Sequence, residues 1–421
     1  MSIHVIGVIG LVLVFLVGTL RPVNLGVLAL VMTFLVGSIV AGEDAREMYT
    51  GFPVDLFVLL AGVTYLFAIA SSNGTVQRIV EGAARLVKDR RALVPWVVFI
   101  VASLPAMAGA LGSAGVALLA PIALRLARRY DIDRRMIGLM VVHGAAAGNF
   151  SPLNVLSAII HQAAARNGIE MFPLALFLPN LAYNVVLAVV IFFVFGGLRL
   201  TSRAVANVAS APAVSSDLVE QPPVPLRIDQ ACTLLALVGV AVGAIVFGLS
   251  IGFLAFTAAA ILHLRFPASS GEAEKKIAWS VVLLVCGIVT YVAALQRYGT
   301  VEAVGVGIAG LTSPLVTALL FCVVAAVTSA FASSAGILGV IVPLAVPFMA
   351  QGHIEPTGLV IALAISATVV DSTPFSTVGA LVVANAEDEE RAGIYKGLLL
   401  WGAAMVVTSP LLTWLIFIAL R

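Results

Sequence analysis

Charged residues are scarce in this sequence of 421 residues. Asp, Glu, Lys and Arg make up 10% of the chain, whereas 61% of it is hydrophobic. A soluble globular protein has about 25% charged residues, so this chain has too little charge to cover a surface in water. Apolar runs long enough to cross a bilayer recur throughout, which indicates an all-α polytopic membrane protein. The net charge of +2 gives no sign of a nucleic-acid partner.

Cysteine and histidine are also rare, with three and five residues respectively. Cys232, Cys286 and Cys322 all lie in apolar stretches, and the sequence has no CxxC motif or His-rich cluster. We interpret these cysteines as small core residues rather than as disulfides or metal ligands. Because no metal cluster, nucleophile–base pair or cofactor motif is present, we do not expect an enzyme.

The two halves of the sequence resemble each other. The stretch "VTYLFAIASSNG" matches "VTYVAALQRYG", which places Tyr65 and Tyr291 226 positions apart. Further along, Pro121 and Pro343 lie 222 positions apart. A nearly constant offset predicts an internal repeat. The predicted parts are a first repeat (1–198), a linker (199–229) and a second repeat (230–421).

The distribution of Lys and Arg predicts that the second repeat is inverted relative to the first. If 92–127 and 312–350 enter and return as re-entrant hairpins, each repeat has five transmembrane helices, and the odd number turns the second repeat over. This topology places 19 of the 23 Lys and Arg residues on one face. The remaining four are Arg46, Arg166, Arg297 and Arg421. We therefore predict a multi-pass protein of the cell (inner) membrane, with a cytoplasmic linker and both termini outside.

Two long apolar segments, 136–166 and 357–385, are interrupted by a hydroxyl residue followed by proline. The pairs are Ser151-Pro152 and Thr373-Pro374, which lie 222 positions apart. Such a pair is a helix-start signal, with the hydroxyl residue as the N-cap. We therefore predict two broken helices whose second halves begin at these prolines near the bilayer midplane. An interrupted helix is tolerated there only where it is buried in protein or lines a cavity.

The tips of the two predicted hairpins carry serine between small residues. They read "LGSAG", with Ser113, and "ASSAG", with Ser333 and Ser334. The tips and the broken helices together bring four helix N-termini toward the midplane, each with roughly half a positive charge. This arrangement predicts a binding site for a small anion, and a dianion matches it well.

The first half of each broken helix ends in carbonyl groups, and such ends hold cations, typically sodium. In the first repeat these carbonyls belong to Gly148 and Asn149, and in the second to Val370 and Asp371. The Asp371 side chain could bind sodium, carry a proton or hydrogen-bond the interrupted backbone. His143 precedes the first break by one to two turns and is either a hydrogen-bonded core histidine or a cavity residue.

At these residues the sequence resembles the ion transporter superfamily, and within it the divalent anion/sodium symporters. The stretches "LGSAGVALLAP" and "HGAAAGNFSP" look most like the malonate/dicarboxylate carrier (MatC-like) branch. The resemblance implies a homodimer, in which a scaffold domain holds the dimer and a transport domain moves as an elevator. The substrate positions expected from the motif match are Ser113, Ser151, Pro152, Ser333, Ser334, Thr373 and Pro374. The expected sodium positions are Gly112, Gly148, Asn149, Ser334, Asp371 and Ser372.

We predict a secondary active transporter that moves a small, malonate-like dicarboxylate with sodium by an elevator mechanism. Two alternatives stay open: proton coupling through Asp371 or His143, and an uncoupled anion carrier or channel on the same scaffold. The family's hairpin tips carry a Ser-Asn-Thr signature, and its Asn is replaced here by Gly112 and by Ser334. No Lys or Arg falls at the predicted midplane, so helix dipoles, hydroxyls and co-transported ions must meet the substrate's charge.

Overall fold

The computed structural model describes residues 2–21, 23–78, 91–166, 168–202, 226–301, 303, 313–330, 334–349 and 354–420. All regular secondary structure in these residues is helical, in agreement with the all-α prediction. Ser333 and linker residues 203–225 lie outside the described residues.

The first half of the chain carries helices before and after its hairpin-like pair. They are α1 (Ile3–Leu20), α2 (Leu25–Leu35), α3 (Ala45–Thr50), α4 (Val54–Ser72), α5 (Val94–Met107), α6 (Gly112–Arg129), α7 (Arg134–Gly148), α8 (Val155–Arg166), α9 (Phe177–Val194) and α10 (Gly197–Ser202). α2 continues as the π-helix Val36–Ala41.

The second half follows a similar order. Its helices are α11 (Ile228–Phe247), α12 (Ile251–Arg265), α13 (Pro267–Ser270), α14 (Trp279–Arg297), α15 (Pro314–Ser329), α16 (Ser334–Met349), α17 (Pro356–Val369), α18 (Thr377–Ala384) and α19 (Asp388–Trp414). A 3-10 turn, Val370–Ser372, follows α17, and the π-helix Leu415–Ala419 continues α19.

Several of these helices are long and apolar enough to cross a membrane by length and composition. Within the described ranges, five such stretches occur, accompanied by shorter apolar helices: Val54–Ser72, Phe177–Val194, Pro267–Arg297, Pro356–Ala384 and Asp388–Ala419. The chain is therefore a multi-pass membrane protein, as its composition predicts.

Two helix pairs cross with their backbones in close contact: α2 packs on α14, and α4 packs on α12. A side chain at Gly26 would overlap the backbone of Leu283 in α14, and one at Gly252 would overlap the backbone of Leu59 in α4. Gly26 and Gly252 lie 226 positions apart, the same offset as the two matching tyrosines. Because small residues let membrane helices approach closely, both halves of the chain use glycine for the same crossing.

The pairs α5–α6 and α15–α16 pack in corresponding ways. The first arm of each pair contacts the first half of the broken helix that follows it, so that α5 lies on α7 and α15 lies on α17. The second arm contacts the second half of the other broken helix, so that α6 lies on α18 and α16 lies on α8. The tips of both pairs and the interruptions of both broken helices therefore meet in one region.

Polar contacts identify two opposite ends of α14. At its N-terminal end, Lys276 donates from Nζ to the hydroxyl of Ser72 at 3.0 Å, so the C-terminal end of α4 lies there too. At its C-terminal end, Arg297 forms an ion pair with Glu43 at 2.9 Å. α4 and α14 therefore run in opposite directions between these two ends.

The second half of the first broken helix begins later than the sequence predicts. α8 starts at Val155, three residues after Pro152. Its cap is Asn154, whose Oδ1 accepts a hydrogen bond from a first-turn backbone N–H at 2.9 Å. Ser151 does not act as the cap because its hydroxyl donates to the carbonyl of Met107, the last residue of α5, at 2.7 Å.

The second broken helix requires the same correction. α18 starts at Thr377, three residues after Pro374, and Ser376 caps it by accepting from a first-turn N–H at 3.0 Å. The Thr373 hydroxyl donates instead to the carbonyl of Ala330, directly after α15, at 2.9 Å. In both halves, the hydroxyl before proline thus satisfies an unpaired carbonyl at the end of the first hairpin arm.

Candidate substrate-binding cavity

The two hairpin tips and the two interruptions border a cavity of about 350 Å³. The N-terminal end of α14 completes its wall through Ala278, Ser280 and Val281. A cavity of this size, at the lower end of the usual range for ligand pockets, suits a small organic ion.

Four helix N-termini meet at this cavity, as the sequence predicts. Each helix places a first-turn residue in the wall: Gly112 in α6, Leu156 in α8, Ser334 in α16 and Thr377 in α18. The N–H groups of a first turn have no partners within their own helix, and each terminus carries roughly half a positive charge. Four such termini around one space favour an anion there.

Asp371 is the one charged residue among the described residues that line the cavity. The hydroxyl of Ser334 donates to Asp371 Oδ1 at 2.7 Å and also lies 2.9 Å from the hydroxyl of Ser329. A carboxylate away from bulk water is costly unless a cation or several donors accompany it. The half-buried Asp371 side chain therefore favours a cation or a proton in the same cavity that favours an anion.

Asn149 holds the corresponding place in the first half of the chain, 222 positions before Asp371. Its side chain is 5% exposed, and its Oδ1 is buried without a hydrogen-bond partner among the described residues. A Cβ atom at Gly112 would lie 3.7 Å from this oxygen. An unpaired buried acceptor is costly, so the Asn149 amide oxygen can accept from a ligand or coordinate a cation.

The structure separates the predicted substrate residues into two groups. Ser113 and Ser334 line the cavity. The cavity wall does not include Ser151, Pro152, Thr373 or Pro374, among the described residues. The two hydroxyl residues of this second group hold the interruptions in place through the carbonyl contacts given above.

The predicted sodium positions separate in the same way. Those that line the cavity are Gly112, Asn149, Ser334 and Asp371. Gly148 packs on α5, where an added side chain would overlap the backbone of Ser103. Ser372 turns its hydroxyl to the carbonyl of Val369 at 2.9 Å. These two residues therefore support the interruptions from outside the cavity wall.

The backbone carbonyls that were predicted to bind cations already accept hydrogen bonds from protein groups. The carbonyl of Asn149 accepts from the side-chain amide of Asn180 at 3.2 Å, and the carbonyl of Asp371 accepts from the hydroxyl of Ser376. Asn149 and Asp371 both line the cavity, and their side chains, rather than their carbonyls, are the oxygens available to a ligand.

His143 lies in the core beside the first interruption and is fully buried. Its Nε2 is 2.8 Å from Trp401 Nε1, and its Nδ1 is 3.0 Å from Asn184 Oδ1. Because an indole N–H can only donate, His143 Nε2 is the acceptor and Nδ1 carries the proton. Both nitrogens are engaged, which favours the core interpretation over a cavity role.

Sequence reasoning missed Asn180 and Asn184, which are both fully buried in α9. Their spacing of four places them on one face of a helix whose mean hydropathy is 2.2. Polar residues within a membrane helix generally face the protein interior and have a defined partner. That signal was present in the sequence and would have identified this face.

The fold is that of a polytopic membrane transporter. It is similar to the crystal structure of the Alcanivorax borkumensis YdaH transporter, which is described as revealing an unusual topology, with a TM-score of 0.63. The likeness covers 93% of this chain and 96% of that chain at 15% sequence identity. At this identity the likeness shows the fold alone.

The sequence comparison is narrower and more specific. Residues 1–149 match the family described as the dicarboxylate carrier protein MatC N-terminus. The resemblance to the dicarboxylate carrier branch is thus confirmed over the first hairpin-like pair and the first half of the first broken helix. No curated protein matches this sequence.

Proposed function

We propose that the protein is a secondary active carrier that moves a small dicarboxylate of about the size of malonate across the membrane together with sodium. The observation that carries this proposal is the meeting of four helix N-termini at a cavity whose described wall contains one charged residue, Asp371. The match of residues 1–149 to the MatC family supports the substrate class.

The anion part of the proposal rests on the helix termini. Four termini supply about two positive charges in total, which matches a dianion in magnitude. The hydroxyls of Ser113 and Ser334 add donors at the two tips. Apolar side chains such as Val142 and Val378 form much of the remaining wall, so a long or highly polar substrate would leave its polar groups unpaired.

The cation part rests on Asp371. A dianion and an ionised Asp371 in one cavity would repel each other, and no Lys or Arg occurs among the described residues that line it. Sodium beside Asp371 and Ser334 would remove this repulsion. Moving a dianion into a cell whose interior is negative costs about 2.3 kcal/mol per charge per 100 mV, so cations that travel with it also make uptake favourable.

The packing supports the two repeats and the re-entrant hairpins. Each hairpin arm contacts corresponding elements in the two halves, and Asn149 and Asp371 occupy equivalent positions 222 apart. Gly112 and Ser334 at the tips border the same cavity as the interruptions of the long broken helices. Because the tips reach these interruptions near the middle of the long helices, the contacts favour re-entrant hairpins, which enter and leave the membrane on the same side, over pairs of helices that cross it.

The position of the hairpins on α4 and α14 supports an elevator. The first hairpin shares a hydrophobic cluster with Phe67 and Ala70 in the C-terminal third of α4. In the second hairpin, a Cβ atom at Gly336 would contact Leu284 and Ile288 in the N-terminal half of α14. The contacts of Lys276 and Ser72 place these parts of α4 and α14 at the same end. Both hairpins are therefore displaced to one end, and transport would require a second state displaced to the other.

Reconstitution in liposomes tests the proposal. Purified protein should accumulate labelled malonate above its external concentration when sodium outside exceeds sodium inside, with a Hill coefficient for sodium above one. Accumulation against a gradient distinguishes a carrier from a channel. Absence of malonate uptake under both sodium and proton gradients would refute the substrate assignment.

Proton coupling through Asp371 is the second candidate, because Asp371 is the titratable residue of the cavity wall. The same liposomes distinguish it: uptake would then follow an inward proton gradient and ignore sodium. The homodimer is likewise proposed from the family resemblance, and the mass of the detergent-solubilised protein tests it.

A further inference from the structure

A chain of hydrogen bonds runs from the half-buried Trp401 through three fully buried side chains and ends at the first interruption. It begins at Trp401, which donates to His143, and His143 donates from Nδ1 to the amide oxygen of Asn184. Asn184 Nδ2 donates to Asn180 Oδ1 at 3.1 Å. Because the indole N–H can only donate, every later donor and acceptor in the chain is fixed. The amide of Asn180 therefore has one orientation, with its NH₂ group turned away from Asn184.

That NH₂ group holds the backbone on both sides of the point where α7 ends. Asn180 Nδ2 donates to the carbonyl of Ala146 at 2.8 Å and to the carbonyl of Asn149 at 3.2 Å. The next residue, Phe150, is fully buried and has a φ of 63°, which is a left-handed conformation that non-glycine residues rarely adopt. Such a conformation persists only where its surroundings hold it, and Asn180 supplies that support.

The second interruption does without this support. The residue 222 positions after Asn180 is Gly402, and a Cβ atom there would overlap the side chain of Thr373. α19 therefore packs directly on the second interruption, whereas α9 reaches the first one through an amide. The chain of hydrogen bonds thus supports only the first interruption, on the side of the cavity that contains Asn149.

We propose that Asn180 is a positioning residue that acts through Asn149. By fixing the carbonyls of Ala146 and Asn149, it holds the unpartnered amide oxygen of Asn149 in the cavity wall beside Gly112. Because a dicarboxylate dianion carries only acceptor oxygens, the ligand that meets this acceptor is the co-transported cation. The inference rests on the proposed function, because it requires that the cavity bind the transported species.

A double-mutant cycle tests the positioning role. Asn149→Ala and Asn180→Ala should each raise the sodium concentration at half-maximal malonate uptake by about tenfold or more, the range for a lost contact with a charged group. If Asn180 acts through Asn149, the double variant should lose no more than Asn149→Ala alone. If the effects of the two single substitutions multiply in the double variant, the proposal is wrong. An unchanged half-saturation in Asn180→Ala would also overturn it.

Asn73→Ala is the matched control. Asn73 is also a buried asparagine whose amide donates to another element, at 2.7 Å to Thr233, but it does not line the cavity. Its variant should keep the wild-type half-saturation. If Asn180→Ala cannot be purified, Asn184→Ala takes its place in the cycle, because that change removes the group that orients the Asn180 amide and keeps Asn180 itself.

Hydrogen exchange separates the failure of this inference from the failure of the proposed function. In purified protein without malonate, exchange across 145–156 should rise in Asn180→Ala and stay at the wild-type level in Asn73→Ala. Equal protection in all three proteins would overturn the positioning role whether or not malonate is transported. If wild-type protein takes up no malonate but exchange rises as expected, the positioning of the interruption stands and the assigned substrate falls.

Discussion

Asn149 and Asp371 lie 222 positions apart in the sequence and line the same cavity, one with a neutral amide and the other with a carboxyl group. Each follows the first half of a broken helix. The two predicted repeats therefore place equivalent residues at the cavity but give only one of them a charge, which makes the two sides of the cavity chemically unequal.

Asp371→Asn should abolish most of the sodium dependence of malonate uptake. The substitution keeps the size of the side chain and removes the charge that would attract the cation, so the sodium concentration for half-maximal uptake should rise at least about tenfold. Asn149→Asp is the matched control and should not lose sodium stimulation. If wild-type uptake follows pH instead and Asp371→Asn removes that response, proton coupling replaces sodium.

Gly112→Ala should weaken malonate binding while the protein remains folded. The added methyl group would lie at ordinary contact distances from its neighbours, 3.7 Å from Asn149 Oδ1 and 3.9 Å from Ala145 Cβ, but it would occupy space beside the unpaired oxygen. Gly239→Ala is the control, because a Cβ atom at Gly239 would have no neighbour within 4 Å in the described part of the chain. Equal half-saturation in both variants, at equal thermal stability, would show that no ligand reaches this part of the cavity.

Thr373→Val should destabilise the protein by about 1 kcal/mol per hydrogen bond lost. The Thr373 hydroxyl donates to Ala330 and also accepts from the backbone N–H of Ser376 at 3.2 Å. Thr373→Ser keeps the hydroxyl that makes both hydrogen bonds, so this variant should have wild-type stability, as measured by thermal unfolding in detergent. If Thr373→Val keeps wild-type stability but weakens malonate uptake, the result would instead support direct contact between Thr373 and the substrate.

The ion pair of Glu43 with Arg297 should make stability depend on pH. Burial alone would raise the pKa of Glu43, but hydrogen bonds from Arg297 and Tyr298 outweigh it and hold that pKa below its usual value of 4.5. The pair therefore stabilises the fold above about pH 4.5 and loses this effect as the pH falls through the lowered pKa.

Arg297→Met measures this contribution. At pH 7 the variant should have a lower melting temperature than wild type, and its free energy of unfolding should be lower by up to about 1 kcal/mol. This difference in stability should shrink as the pH drops below 4.5. In a Glu43→Gln background the same substitution should show no such pH dependence. A difference that stays constant from pH 7 to pH 3.5 would contradict the assignment.

The sequence by itself determined that this is a membrane protein and where its two long helices are interrupted. Scarce charge and long apolar runs require a membrane as solvent, and Ser151-Pro152 and Thr373-Pro374 predict interruptions because proline lacks the donor that a helix interior needs. The offset of 222 also predicted that two such interruptions would act together. These conclusions depend on local chemistry and on repetition, which the sequence contains directly.

Only the tertiary structure decided what each polar group near the interruptions contacts. The hydroxyls of Ser151 and Thr373 donate to carbonyls of another helix, and Asn154 and Ser376 act as the caps in their place. A buried polar group takes whichever partner lies nearest in space, and that partner is often far away in sequence. The sequence therefore predicted the region of the cavity, while the fold decided that Asn149 and Asp371 line it.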